Sequence, residues 1–179
     1  SGRRVASCNA SVNPSERPRR VKFQLIDRII EIEPGRKVVA EKALSLAEEY
    51  LADHFPTFPV LPGVLMVEAM VQAAAWAVRT KYDFQPSIVV LKEARNVTYK
   101  SFLAPGHTMR VEAECKEISE ESSVFAARGE VGGSEIVKGK FTLRHLSLAD
   151  NNDMLRETDA RIRTHMRATY ALLTMRSAV

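Results

Sequence analysis

Cysteine is scarce in this chain: only Cys8, in a polar tail, and Cys115, in an alternating, strand-like run. A disulfide scaffold is therefore not expected, and a reducing cytoplasm suits such a sequence. The four histidines (His54, His107, His145, His165) are scattered, with no C-x-x-C or H-x-x-x-H spacing, so no metal site is expected. Long unbroken hydrophobic runs are also missing. The longest, Phe58 to Val78, is interrupted by Pro59, Pro62, Glu68 and Gln72. A bilayer needs about 20 mostly apolar residues without such breaks, so no membrane insertion is expected, and no secretory pattern opens the chain. Charge of one sign is only mildly in excess, at +4 with a pI near 9.2. Much of the excess sits in the tail, on Arg3, Arg4, Arg17, Arg19, Arg20 and Lys22. Without interleaved aromatics or a recognition motif this does not imply nucleic acid; an acidic protein partner or a solvated tail remain as its uses.

The rest of the composition, 179 residues with 45% apolar and 27% charged, is that of one globular domain with a core. Residues 1–20 are polar, with little to bury, and read as an extension. Glu33-Pro34-Gly35-Arg36 is a turn signal between two hairpin arms, Arg28–Glu33 and Lys37–Ala43. Ala47–Ala52 reads as a short helix, and Val64–Val78 as a long, largely buried one. Alternating runs follow at Ile88–Ala94, Val97–Phe102, Met109–Glu117, Val124–Val131 and Ile136–Leu143. Pro105-Gly106, Glu120 to Ser123 and Gly132-Gly133 supply turns among them. Strands joined by tight turns around one apolar helix predict an α+β fold, an antiparallel sheet wrapped round that helix. The segment 146–179 is a C-terminal extension with helical spacing at Leu155, Ile162, Met166, Tyr170 and Leu173. The predicted body is thus 21–145.

The stretch His54 to Gln72 carries the chemistry: H-F-P-T-F-P-V-L-P-G-V-L-M-V-E-A-M-V-Q. Pro56, Pro59 and Pro62 keep the loop out of a helix interior, and Pro62 suits a first helical turn. Unpaired N–H groups at that helix start can polarise a carbonyl, and Gly63 lets a ligand approach the backbone. Glu68 and Gln72, four residues apart, share one helix face. Taken alone, Glu68 reads more readily as a core acid hydrogen-bonded to Gln72, since a lone ionisable group on a core helix is costly.

The string H-F-P-x-x-P-x-x-P-G-V-L-x-x-E-A-M-x-Q closely resembles the signature of the 3-hydroxyacyl-acyl carrier protein dehydratases of the FabZ type. Phe23 to Arg28, Glu33-Pro34-Gly35, and Asn96-Val97 through Lys100 to Pro105-Gly106 extend the resemblance over about residues 21–144. It implies the hotdog fold and a dimer at least, commonly a trimer of dimers. It places the catalytic histidine on His54 and the catalytic acid on Glu68, from opposite subunits. The carbonyl-polarising amide falls on Gly63, and the supporting glutamine on Gln72.

The implied reaction removes water reversibly from a (3R)-3-hydroxyacyl thioester. The Gly63 N–H polarises the thioester carbonyl, His54 takes the C2 proton, and Glu68 protonates the departing 3-hydroxyl. No cofactor is implied; phosphopantetheine arrives on the acyl carrier protein. Phe55, Met66, Met70 and Trp76 are candidates for the acyl tunnel, although most of Met66, Met70 and Trp76 read more readily as core. Lys92, Arg95 and Lys100 are candidates for gripping the acidic carrier, with a solvated strand end as the plain alternative. Aspartate stands at the acid position in the dehydratase–isomerases (FabA type), so Glu68 points to dehydration without double-bond migration. Thr57, Phe102 and His107 depart from the usual glycine, proline and aspartate, and a turn histidine such as His107 is expected to be exposed and idle. Two other readings stay open: a hotdog thioesterase, and a non-catalytic acyl-carrier-binding subunit.

Overall fold

A computed structural model describes residues 23–53, 57–150 and 152–175, with Ala52 and Asp53 as backbone only. The polar extension 1–20, Cys8, His54 and Phe55 lie outside the described residues. Six strands form one antiparallel sheet: β1 Arg28–Glu33, β2 Lys37–Ala43, β3 Ile88–Tyr99, β4 Thr108–Ile118, β5 Ser122–Val131 and β6 Ser134–Leu146, in the order β1-β2-β4-β5-β6-β3. A short helix α1, Tyr50–Asp53, precedes the central helix α2, Gly63–Lys81; α3, Arg156–Leu173, closes the described chain after two 3-10 turns. This is the expected α+β architecture of a sheet curled around one helix.

The helix packs because its sheet-facing side is small and apolar. Met66, Ala69, Met70, Ala73, Ala74, Ala77 and Val78 are all buried, and α2 touches β2, β3, β4, β5 and β6. The alanines let the backbone lie close to the sheet. Strands β4, β5 and β6 alternate buried and open positions, as a sheet with one covered face must. Phe125, Phe141, Val111, Ala113 and Leu143 meet the helix side of that core. Register shifts at Ile29/Glu31, Leu91/Glu93, Arg95/Thr98 and Cys115/Glu117 add local bends that help the sheet curl.

The first hairpin has the predicted arms, and its turn is tied to the helix. Gly35 takes φ +71°, and its N–H donates to the Ala77 carbonyl at 2.8 Å. A Cβ there would meet the Lys81 side chain, which would have to swing aside, and the positive φ favours glycine. One expectation needs correction: the runs at 88–94 and 97–102 are not two strands. They form the single strand β3, kinked at Asn96 (φ +53°) and paired with β6 on both sides of the kink. A bulge with a left-handed residue mimics a turn in sequence while leaving the ladder continuous.

The C-terminal segment starts its long helix later than its first apolar residues suggest, because Leu148–Asp150 and Asp153–Leu155 form 3-10 turns first. Helix α3 then docks beside α2. Tyr170 packs on Trp76 (centroids 6.0 Å apart) and on Phe84 (5.6 Å). Polar clamps hold both ends. Asp159, 2% exposed, accepts from Leu148 N at 2.8 Å and pairs with Arg163 at 2.6 Å. Burial pushes the Asp159 carboxyl up, but hydrogen bonds from Ser87 and Leu148 and the charge of Arg163 outweigh it and hold the group below its usual range. Arg167 forks onto Asp83, with 2.9 Å to Oδ1, and lies over the Phe84 ring at 4.8 Å. That grip fixes Asp83 and Phe84, both at positive φ (48° and 62°), in the loop leaving α2.

Candidate active site on the central helix

The segments on either side of residues 54–56 are each fastened. Upstream, Lys42 is 2% exposed, and its Nζ contacts Glu48 at 2.7 Å and Asp27 at 3.6 Å, fixing the segment that leads into α1. Downstream, Val60 and Leu61 are buried, and Leu61 N donates to Leu103 O at 2.9 Å. Pro62 then caps α2 with φ −53° and ψ 137°, and no side chain caps that end. Leu65 N already donates to the Pro62 carbonyl at 2.8 Å, so the Gly63 and Val64 N–H groups are the ones left to a ligand or to water. At Gly63 an added Cβ would lie 2.9 Å from Cε1 of Tyr99, so this ring is the group that comes close to the Gly63 backbone.

Two turns along the helix, the expected pair Glu68 and Gln72 is in contact. Gln72 Nε2 donates to Glu68 Oε1 at 2.9 Å and to the Phe23 carbonyl at 3.1 Å. Its Oε1 accepts from Leu25 N at 2.9 Å. A carbonyl oxygen must meet that backbone N–H, so the amide cannot flip, and its NH2 group must face Glu68. Glu68 is thereby oriented through one oxygen, and Oε2 has no partner among the described residues.

Glu68 lines a cavity of about 410 Å³ between α2 and α3. The floor is one face of α2: Glu68, Gln72, Ala75, Trp76 and Arg79. Phe23 and Gln24 border the Glu68 side, and Val89, Val90 and Leu91 of β3 form one wall. His165, Met166 and Thr169 of α3 form another. Arg79 stacks on Trp76, its guanidinium carbon 5.4 Å from the ring centre. Burial lowers the Arg79 pKa to about 10. A second cavity, about 320 Å³, lies on the outer face of the sheet. Most of its charges are held in ion pairs, as Arg128 with Glu112 at 2.7 Å, and it contains none of the residues of the His54 to Gln72 stretch.

The remaining candidates are dispersed. Trp76 borders the Glu68 cavity, whereas Met66 (2% exposed) and Met70 (0%) lie in the core between helix and sheet. Lys92, Arg95 and Lys100 are all exposed, on or just beyond the edge strand β3. Arg95 pairs with Glu93 at 2.9 Å and Lys100 with Glu135 at 2.6 Å, while Lys92 has no ion-pair partner among the described residues. His107 is exposed in the turn before β4, as expected. Phe102 packs edge-on against Phe58, centroids 5.7 Å apart, both rings largely open to solvent beside the His54 loop. No cluster of metal-ligating residues occurs among the described residues, and no helix there is long and apolar enough to cross a membrane.

Sequence reasoning missed Arg79 and the α3 residues of the cavity. Arg79 was within reach, because 68, 72, 76 and 79 follow the helical repeat along one face. Thr169, Met166 and His165 carried no such signal, since which face of α2 receives α3 is decided by tertiary contacts.

The FabA-like domain family matches residues 17–140. A 3-hydroxyacyl-acyl-carrier-protein dehydratase FabZ from Clostridium kluyveri is 34% identical over 123 residues, 69% of this chain and 85% of the relative. Another dehydratase FabZ, from Ruminiclostridium cellulolyticum, is 42% identical over 97 residues, 54% of this chain and 68% of that one. Among solved structures, the dehydratase heterocomplex ApeI:P from Xenorhabdus doucetiae superposes with a TM-score of 0.60 at 17% identity, covering 74% of this chain and 90% of that one, a likeness of fold. The chain belongs to the FabA-like family, with dehydratases of the FabZ type as its curated relatives.

Proposed function

We propose that the chain is a (3R)-3-hydroxyacyl-acyl-carrier-protein dehydratase of fatty-acid or related acyl biosynthesis, a reversible hydro-lyase. The observation that carries the reading is Glu68, oriented by Gln72 at 2.9 Å and bordering a cavity with largely apolar walls in a FabA-like chain. The Gly63 N–H, at an end of α2 without a side-chain cap, accepts the role of carbonyl donor. His54 takes the C2 proton; the C2 electron pair forms the C2–C3 double bond as the C3–O bond breaks, and Glu68 gives its proton to the leaving hydroxyl. The products are a trans-2-enoyl thioester and water, and return of the proton from His54 to Glu68 resets the pair.

The site is completed by a second copy, which supplies His54 opposite Glu68. Two features support this: the twelve-residue strand β3 is a sheet edge with few buried positions, and Phe58, Val64, Tyr99 and Phe102 are exposed near the start of α2. The family's usual trimer of dimers is the next level of assembly we infer. The acyl carrier protein delivers substrate on phosphopantetheine, and Lys92 is the cation best placed to meet it, lacking the ion pairs that engage Arg95 and Lys100. An imidazole and a carboxyl suffice as base and acid, so the reaction as proposed uses no diffusible cofactor. A cytoplasmic setting fits the free Cys115.

A crotonyl thioester tests the reading. Loss of enoyl absorbance without thiol release is the expected result. Thiol release would mean a thioesterase, and silence in both channels would mean a non-catalytic carrier-binding subunit.

A further inference from the structure

Across the described residues most arginines find acids, and Arg110, Arg144 and Arg161, which do not, are exposed to solvent. Arg28, Arg36, Arg95, Arg128, Arg156, Arg163 and Arg167 each have a carboxylate in ion-pair contact. Arg79 has none among the described residues, although its Nε is sealed from solvent without a hydrogen-bond partner. The residue as a whole is half-buried, and it borders the Glu68 cavity. Trp76 covers one face of the guanidinium at 5.4 Å, which offers π-electrons but no hydrogen-bond acceptor. A desolvated cation of this kind favours an anion arriving through the cavity.

The position of Arg79 defines what that anion belongs to. Glu68 and Arg79 lie eleven residues apart on one helix face, about 16 Å along the axis at ~1.5 Å per residue. Between them the cavity is lined by Val71, Ala75, Val89, Leu91 and Met166, with Gln72, whose amide is already engaged, and His165 and Thr169 of α3 as the polar groups. An acid therefore stands at one end, a cation at the other, and mostly hydrocarbon-compatible surface between. A phosphopantetheine arm, with its amides, would find few hydrogen-bond partners along that wall. We propose that Arg79 binds an anionic group at the distal end of the acyl chain, so that the substrates include 3-hydroxyacyl thioesters terminating in a carboxylate. Helix α3 borders the same cavity through His165, Met166 and Thr169, on the side opposite the Glu68 face of α2.

The inference rests on the dehydratase reading of the Glu68 cavity, and two measurements separate their failures. Trp76 is the only tryptophan, so its emission reports on the guanidinium stacked against it. Titration with suberate should change that emission saturably, octanoate should do so far more weakly, and Arg79→Gln should remove the difference. In hydration of 2-enoyl pantetheine thioesters of equal length, the carboxylate-ended substrate should exceed the methyl-ended one in kcat/KM by about tenfold or more. Arg79→Gln should collapse that ratio, and Arg79→Lys, which keeps the charge, should retain part of it. If neither thioester is hydrated the dehydratase reading fails, and the suberate titration still decides the anion site. No suberate response, or a carboxylate preference that survives in Arg79→Gln, overturns the proposal. A lost suberate response accompanied by dissociation of Arg79→Gln into monomers does so as well, by assigning the counter-charge to a second copy.

Discussion

The two faces of α2 carry opposite chemistry. Toward the sheet lie Met66, Ala69, Met70, Ala73, Ala74, Ala77 and Val78, with no polar side chain among them. Toward α3 lie Glu68, Gln72, Trp76 and Arg79, bordering a cavity. The first face holds the helix by close packing, which makes it rigid; the second uses that rigidity to keep an acid, an amide and a cation at fixed spacing. A site built on a helix this firmly seated needs little further positioning, and Gln72 supplies what remains. Substitutions on the first face should therefore cost stability, and those on the second activity.

The sharpest break in activity should come from His54→Ala. Loss of a general base costs typically about 10²–10⁴-fold in rate, and crotonyl-thioester hydration should fall within that range at unchanged melting temperature. On the packing side, Met70→Ala should lower unfolding free energy by about 2–5 kcal/mol, since Met70 is 0% exposed and its removal leaves a cavity. Denaturant unfolding checks this, and the protein that remains folded should keep its kcat. If Met70→Ala instead spared stability and abolished turnover, the division of labour between the faces would be wrong.

Smaller effects should come from the clamps of α3. Asp159→Asn leaves Arg163 (30% exposed side chain) without its ion-pair partner, and should cost about 1–3 kcal/mol, discounted for that exposure. The drop should be visible as early loss of the Trp76–Tyr170 contact in Trp76 fluorescence. Acid should do the same more gently. The Asp159 and Asp83 carboxyls are held below their usual range, Asp83 by hydrogen bonding and then by the charge of Arg167. Groups with depressed folded pKa values stabilise above their unfolded pKa, and the stabilisation is lost as pH falls through the folded values. Docking of α3 should thus be insensitive to pH near neutrality and weaken only below about pH 4.

Much of this was legible in the sequence because the signals were local. The hairpin arms Arg28–Glu33 and Lys37–Ala43 match β1 and β2, since a Pro-Gly turn fixes register by itself. The contact of Glu68 with Gln72 follows from helical spacing alone. The kink at Asn96 was misread as a strand break because a left-handed residue carries turn-like chemistry whether or not pairing continues. The docking of α3, the pairing of buried Lys42 with Asp27, and the cavity bordered by Arg79 are long-range contacts, which no periodicity encodes.

The central claim, that the Glu68 face of α2 performs acid–base chemistry on a thioester, is tested most directly by Glu68→Gln. The substitution keeps the shape and can still hydrogen-bond to Gln72, but it cannot donate the acid proton. Crotonyl-thioester hydration should fall by about 10²-fold or more while the melting temperature stays within a few degrees of the unsubstituted protein. Hydration retained within a few-fold in a folded Glu68→Gln protein would contradict the account.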